Sequence, residues 1–522
     1  MRIFLILAAL TFSKVGAAQV YFNTQIDWEQ YFEYLTFIAL VNSDGDLFVT
    51  GGAVNLSSTD GVTILASLNA EGDVKWQKKF LPAPNLFGQT YHMAKLPGPY
   101  GILLGNYEKP IGNGNYDDQI FLTKINLETS DTLWTKEFGY SNYYEQGWTI
   151  KPTTNGGLAL CGTTFLGNNT AHSKMLFLKT DSVGTLIFRK EYSTNLDNNH
   201  YALSFLKTDD GGYLLYGYRG YWGHYLGAIL ETYMYDMVLV KTDAEGNQEW
   251  VKTYPPWEWK HIGFFGFDIQ PLGNGDFLIA GLKAYRIGLP GISTESKYFF
   301  ARINSDGEFV DSATINKGHQ GTRVNRLKPS SDGNFWAIGA EKDSQYLGQT
   351  GVILKITPGL EVLWKREYRV SPPESVIHEM FYEGVEMPDH GFALCGTAFG
   401  PLEDSTYQNG WVIRVDSLGC LEPGCQLSSA IEDLPAAEQD IGITLSPNPT
   451  SGQARLALTH EGAVLLGVRV LDMQGRVVSD MQFLRSAGWR ECMVDLGGEP
   501  AGAYVVQVRS SEGWGVKKIV KQ

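Results

Sequence analysis

Five cysteines in 522 residues are too few for a disulfide framework to hold the chain together. No sustained heptad or helical pattern is present either, which removes coiled coils and helix bundles. Beyond the first eighteen residues no apolar run reaches the ~20 residues that a membrane-spanning helix needs, so no transmembrane segment is expected. Basic residues are outnumbered 42 to 57, for a formal net charge of −15. They nowhere concentrate into a face able to neutralise phosphates, and nucleic acid is not an expected partner. The spacings that hold metals or phosphates are missing too: no HExxH, no paired CxxC, no calcium loop and no phosphate loop, with the histidines scattered. No metal and no cofactor are expected.

What the chain has in abundance is glycine and aromatic side chains, in a pattern that returns. The stretch Met237 to Tyr254, MVLVKTDAEGNQEWVKTY, reads as a β-hairpin: an apolar run, a polar turn around Asp243 and Gly246, and a second run carrying Trp250. Copies end at Phe80, Phe138, Tyr192, Ile315 and Tyr368, and a truncated copy stops at Cys420. Each is preceded by an Asp/Asn-Gly turn and a short apolar strand ending in glycine, at Gly52, Gly162, Gly217, Gly281, Gly339 and Gly396, with a looser member at Gly105. The units recur at a period of roughly 55 to 60 residues, the mark of a repeat architecture.

Each unit is read as four strands. In the fourth they are expected at Ala202 to Leu206, Tyr213 to Gly217, Met237 to Lys241 and Gln248 to Thr253. The middle two are nearly all apolar, as when both faces of a sheet are covered. Four-stranded sheets covered on both faces and set radially are the blades of a β-propeller. The expected fold class is therefore all-β: a seven-bladed β-propeller over residues 19–425, a linker at 426–440, and a small Ig-like β-sandwich over 441–522.

A large aromatic recurs in the outermost strand, at Trp76, Trp134, Phe188, Trp250 and Trp364, where it is expected to fill the widening gap between blades. The seventh unit lacks its outer strand. The stretch from Val20 to Phe32 resembles an orphan one, with Trp28 in the aromatic place, and closure of the last blade by this N-terminal strand would remove two exposed edges. The connections between second and third strands, at 107–118, 163–174, 218–236, 282–297, 340–350 and 397–409, are read as long irregular loops on one face. Variable loops on a rigid scaffold usually carry function, so the binding face is expected there.

Residues 1–18 carry Arg2, an apolar run from Ile3 to Phe12 and the small residues Gly16, Ala17 and Ala18, and read as a secretory signal peptide cut after Ala18. Cys161 and Cys395 occupy the same place in their repeats and are expected as buried free thiols; Cys492 is expected buried as well. Cys420 and Cys425 stand at a spacing that permits a small disulfide loop in an exported protein.

In the C-terminal part, Pro447, Asn448 and Pro449 with Ser451-Gly452, the VLDMQGRVV hairpin around Gly475, the PAGAYVVQV strand at Gly502, and the basic ending Lys517, Lys518 and Lys521 resemble the C-terminal sorting domain of the type IX secretion system of Bacteroidetes, in its type A form. The resemblance covers about the last eighty residues, the size of a small sandwich domain. It implies the type IX secretion machinery as a partner, removal of the sorting domain, and a product that is secreted or attached to the outer-membrane surface. The repeats also resemble the propeller cargo found ahead of this signal. The hairpin resembles the tryptophan-docking hairpins of quinoprotein dehydrogenases as well, but it lacks their full motif in every blade and an adjacent cysteine pair, so no quinone is expected.

For chemistry, the most unusual stretch is aromatic. Tyr221, Trp222 and Tyr225 fall in the fourth-blade connection, and Trp257 and Trp259 in the next one. Such rings can stack on sugars or anchor a protein partner, and they can equally pack a long loop onto the propeller as a satellite cluster. Asp117-Asp118 and Glu403-Asp404 are paired carboxylates read as solvated loop residues. The favoured expectation is an exported or surface binding protein for a glycan or protein ligand. The alternative is an extracellular polysaccharide hydrolase or lyase on the same face; no catalytic residue can be assigned.

Overall fold

The repeated Asp-x-x-Gly turn explains where each hairpin forms. In the computed structural model, Asp243 Oδ1 accepts the backbone N–H groups of Glu245 (3.0 Å) and Asn247 (2.7 Å), and Gly246 takes a φ of 78°, a left-handed conformation open to glycine. Asp181 with Gly184 and Asp416 with Gly419 repeat the device. The structure describes residues 21–27, 31–42, 44–55, 61–80, 88–112, 115–166, 172–194, 199–225, 230–255, 261–286, 294–315, 322–342, 348–370, 379–399, 408–421, 442–459, 464–473, 477–482, 490–510 and 513–522. The expected signal peptide at 1–18 and linker at 426–440, with Trp28, Cys425, Glu403-Asp404 and Gly475, lie outside them.

Among the described residues the repeats form seven four-stranded antiparallel units. Six run in chain order over 31–80, 88–138, 143–192, 199–254, 261–315 and 323–368. The seventh takes Met380–Glu386, Phe392–Phe399 and Gln408–Val415, and its fourth strand is Phe22–Ile26, which pairs antiparallel with Gln408–Val415. A single parallel bridge, Tyr235 to Gly263, joins the fourth and fifth units. A polar bond between neighbouring units ties each of the seven junctions. In order these are Thr36 Oγ1 to Thr90 O (3.0 Å), Gly147 N to Asn106 Oδ1 (3.0 Å), Thr149 Oγ1 to Leu203 O (2.7 Å), Ser204 Oγ to Asp268 Oδ1 (2.6 Å), Gln270 Nε2 to Leu327 O (2.8 Å), Asn325 Nδ2 to Phe381 O (2.6 Å) and Thr397 Oγ1 to Glu33 O (3.0 Å). The last of these joins the seventh unit to the first.

The outer strands are fastened by a repeated pair of contacts. Tyr192, Tyr254 and Tyr368, at the strand ends, donate their hydroxyls to the carbonyls of Gly246 (2.6 Å), Gly307 (2.5 Å) and Gly419 (2.6 Å) in the next unit. Trp134, Phe188, Trp250 and Trp364 press on the same turns, where a Cβ on Gly184, Gly246, Gly307 or Gly419 would lie within 3.1 Å of the ring. In the closing strand this place belongs to Phe22, not Trp28. Phe22 pairs with Arg414 as Trp250 pairs with Lys241, and its ring lies against Gly72 of the first unit.

Three of the connections read as irregular loops are instead hairpin arms. Tyr100–Gly112 pairs with Asn115–Asn126, Tyr213–Tyr225 with Leu230–Thr242, and Phe277–Arg286 with Thr294–Ile303. A long connection must satisfy its own backbone N–H and C=O groups, and pairing with its returning half does so. In the fourth unit Gly217, Gly220 and Gly223 interrupt the alternation that would have announced the strand.

The C-terminal part forms two sheets, one of Ile443–Ser446, Gln453–Leu458 and Glu491–Asp495, the other of Val477–Gln482, Leu465–Asp472, Gly502–Ser510 and Gly513–Lys521. Leu456, Val468, Val470, Val506, Val508 and Ile519 fill the space between them. Cys161 and Cys395 are buried free thiols; Cys395 Sγ donates to Leu35 O across the last junction (3.6 Å). Cys492 is half-buried rather than buried, because it packs at the margin of the small sandwich core. Cys420 is disulfide-bonded, and Cys425 lies outside the described residues. Among the described residues no helix is long and apolar enough to cross a membrane.

Candidate ligand-binding mouth on the propeller axis

The innermost strand of every unit carries a bulge at the same place. Its register slips past one residue: Thr36, Tyr91, Trp148, Leu203, Phe267, Asn325 and Tyr382 in units one to seven. A bulge removes one residue from the ladder and re-aims its side chain. The residue just before each bulge pairs with the glycine that ends the second strand: Gly51, Gly105, Gly162, Gly217, Gly281, Gly339 and Gly396. At Gly51, Gly162, Gly217, Gly339 and Gly396 a Cβ would sit 1.8 or 1.9 Å from an inner-strand carbonyl oxygen, so no side chain fits. The recurring glycine of the sequence is thus the partner of the bulge. In the first unit it is Gly51, with Gly52 one place beyond.

All seven bulged residues line one cavity of about 350 Å³, together with Tyr34, Tyr201, Tyr218, Arg323 and Arg326. Because one comes from each innermost strand, the cavity lies on the ring axis. Tyr34, Tyr201 and Arg323 precede the bulges and Tyr218 follows Gly217, so the cavity wall extends towards the N-terminal ends of these strands, the side of the long connections. The rings arrange themselves in pairs. Tyr201 stacks on Tyr218 (centroids 4.8 Å apart), Tyr91 meets Trp148 edge-on (5.5 Å), and Tyr34 tilts towards Tyr382 (6.3 Å). The Arg323 guanidinium lies 5.7 Å over the Phe267 ring. Trp148 Nε1 donates to Thr163 Oγ1 (3.3 Å), which fixes the indole. Burial holds the Tyr34, Tyr91 and Tyr382 phenols above their ordinary range, so they stay protonated and able to donate.

Behind the aromatic layer the strands supply charge. The residue after each bulge includes His92, Ser204, Asp268, Arg326 and Glu383. Glu383 is fully buried and meets Lys328 Nζ (2.6 Å), Arg326 Nε (3.0 Å) and His92 Nε2 (3.5 Å). Burial alone would raise its carboxyl, but Lys328, the His92 hydrogen bond and Arg326 outweigh it and hold the group well below the usual range. Burial pushes His92 down to about 4, so it is neutral near pH 7. Two residues further along their strands lie Lys328 and Lys151; the latter donates to Phe205 O (2.6 Å) and is lowered by burial.

Of the aromatic residues singled out in sequence, Tyr221 is not part of the wall of this mouth. Tyr221 is half-buried, donates to Asp236 Oδ1 (3.1 Å) and carries the Arg219 guanidinium over its ring at 5.2 Å. Trp222 and Tyr225 belong to the strand Tyr213–Tyr225, with side chains outside the described set, and Trp257 and Trp259 lie outside the described residues. Tyr218, at the root of that hairpin, does line the cavity. Periodicity could not find the bulged residues, since a bulge breaks the alternation. The signal that could have found them is the aromatic that stands immediately before His92 and Glu383, next to the residue paired with the strand-ending glycine.

The carboxylates Asp117 and Asp118 are not loop residues. They sit on the strand Asn115–Asn126, opposite Lys109 and Glu108. Asp117 is buried and accepts Asn142 N (2.8 Å). Burial and then the facing Glu108 push Asp118 up to about 6, against a hydrogen bond from Gln146, and its charge reaches Tyr91 in the mouth. Among the described residues no group of three or more His, Cys, Asp and Glu side chains could hold a metal ion.

In the C-terminal sandwich the Pro447-Asn448-Pro449 segment is clamped to the last strand. Asn448 Nδ2 donates to Lys518 O (2.7 Å), and Asn448 Oδ1 accepts Val520 N (2.9 Å). Lys521 Nζ donates to Leu496 O (2.7 Å) and Gly497 O (2.9 Å). Lys517 and Lys518 are exposed, and Gly502 is exposed with room for a Cβ.

Residues 444–522 match the secretion system C-terminal sorting domain family. No curated protein sequence matches the chain significantly. Among solved structures, the β-propeller domain of the Trilobed protease from Pyrococcus furiosus is 11% identical, with a TM-score of 0.37, over 73% of this chain and 93% of that one. The WD40 domain of SCAP from fission yeast is 10% identical, with a TM-score of 0.34, over 77% and 99%. The GH93 alpha-L-arabinofuranosidase of Fusarium graminearum is 10% identical, with a TM-score of 0.38, over 60% and 89%. The chain is thus a propeller that ends in a type IX sorting domain, which marks it for export to the cell surface or the extracellular space.

Proposed function

We propose that this exported propeller is a glycan-binding protein whose carbohydrate ligand enters the axial mouth on the side of the long connections. The observation that supports this reading is the mouth itself: a single bulge device, repeated in every blade, presents Tyr91, Trp148, Phe267 and Tyr382 with Tyr34, Tyr201 and Tyr218 around one small cavity. Flat apolar ring faces with phenol and amide groups between them suit sugars, which offer apolar C–H faces edged with hydroxyls. The cavity is of the size of ordinary small-ligand clefts, ~300 Å³ upward. Tyr221, Trp222, Tyr225, Trp257 and Trp259 are proposed as an outer extension of the same site along the fourth and fifth blades. Removal of the sorting domain and retention at the outer-membrane surface are proposed on the same footing.

A glycan array probed with the purified protein and with its Trp148→Ala variant tests the reading. Binding by the parent and its loss in the variant support a carbohydrate site at the mouth. Absence of binding by the folded parent rejects it and turns attention to a protein ligand.

Asp118 favours a second reading, a polysaccharide hydrolase or lyase. A carboxyl pushed up to about 6 beside a second carboxylate is suited to give or take a proton near neutrality. Turnover of any glycan bound on the array, abolished by Asp118→Asn with binding intact, supports it; binding without turnover rejects it.

A further inference from the structure

We infer that the glycan taken by this mouth is anionic, with a carboxylate or sulfate group seated on Arg323. The inference rests on the glycan reading and adds the chemical class of the ligand. Arg323 is exposed, lines the cavity and lies over the Phe267 ring. Among the described residues no carboxylate pairs with it. A guanidinium that lies over a ring and has no carboxylate partner has N–H groups to offer the two oxygens of a carboxylate or two oxygens of a sulfate.

The surroundings reinforce this charge instead of cancelling it. Arg326 lines the same cavity, and the one carboxylate it meets among the described residues, Glu383, is shared with Lys328. The innermost strand of the sixth blade, Arg323–Pro329, carries three cations, Arg323, Arg326 and Lys328, and no carboxylate. Asp268 is already engaged by Ser204 Oγ and by the backbone N–H groups of Ile269 and Leu327. Glu108, Asp117 and Asp118 belong to the second blade, where the charge of Asp118 reaches Tyr91, whereas Arg323 and Arg326 belong to the sixth, with the first and seventh blades between them. The mouth therefore has an acidic and a basic side, and the anionic group belongs on the basic one.

Titration calorimetry on the full chain tests this with three probes of matched length: a neutral gluco-oligosaccharide, an oligogalacturonate and a sulfated galacto-oligosaccharide. The expected result is that one anionic probe binds about tenfold or more tightly than the neutral one, a preference worth a charge-assisted bidentate contact. Arg323→Gln should collapse that preference towards unity, Arg323→Lys should keep part of it, and added salt should weaken the anionic probe alone. The carboxylate and sulfate arms tell the two anions apart. Equal binding of neutral and anionic probes, unaffected by Arg323→Gln, overturns the charge inference and leaves the glycan reading standing. No binding of any probe by folded protein overturns both.

Discussion

The inner and outer strands of the same blades follow opposite rules. In the outer strands the side chains repeat: an aromatic on the neighbouring turn glycine, then a tyrosine whose hydroxyl reaches that glycine's carbonyl, as at Tyr192, Tyr254 and Tyr368. In the inner strands the backbone repeats, with a bulge and a facing glycine in every blade, while the bulged side chain changes from Thr36 to Tyr91, Trp148, Leu203, Phe267, Asn325 and Tyr382. Repetition of side chains belongs where blades must fit one another. Repetition of backbone with free choice of side chain belongs where the blades line the axial cavity. The difference teaches which part of a repeat to read for stability and which for chemistry.

The comparison breaks most severely at the charged girdle beneath the mouth. Glu383→Gln leaves Arg326 and Lys328 without their shared carboxylate, and should lower stability towards the low end of the roughly 3–5 kcal/mol that a broken buried pair costs, since both cations are partly exposed. A denaturant titration reads the loss. Next comes the inner backbone. Gly217→Ala puts a Cβ against Tyr201 O and should cost roughly 1–3 kcal/mol, with weaker ligand binding because Tyr201 must move.

Acid should reveal the girdle in the parent protein. His92 titrates at about 4 in the fold against 6.5 unperturbed, so between those values the unfolded chain binds more protons. Stability then falls as pH drops, by up to ~1.4 kcal/mol per pH unit for one proton. Glu383, held low in the fold, adds a further loss once pH enters the ordinary glutamate range. Unfolding free energies measured from pH 7 to 4 should show this slope, and His92→Gln should flatten its upper part. The smallest expected effect is at the rim, where Tyr254→Phe removes one hydroxyl bond and should cost ~0.5–1.5 kcal/mol without touching ligand affinity.

Much of the propeller was legible because its determinants are local. The Asp243 to Gly246 turn, the apolar middle strands and the strand-ending glycines each announce themselves within a few residues. The sorting domain was legible for the same reason, in Pro447, Asn448 and Pro449 and the basic C-terminal strand they clamp. The mouth was not. Its residues stand about one blade apart in the chain and meet only because the ring closes, and the bulge that aims them erases the period-two signal. Asp118 was read as a solvated loop residue because the hairpin of Tyr100–Gly112 and Asn115–Asn126 continues past Tyr107 with no apolar run to mark it. Tyr221 attracted notice by aromatic density, yet its hydroxyl is engaged by Asp236 and its ring by Arg219.

The division between inner and outer strands is tested most directly by one paired measurement, ligand affinity and unfolding free energy determined together for Trp148→Ala and Trp250→Ala. The account predicts that Trp148→Ala weakens glycan binding about tenfold or more, as loss of a central aromatic contact does, while changing stability little. Trp250→Ala should leave affinity unchanged and lose most of the packing its ring makes at the Gly307 turn. Loss of affinity and stability in step for both variants, or binding untouched by Trp148→Ala, would contradict it.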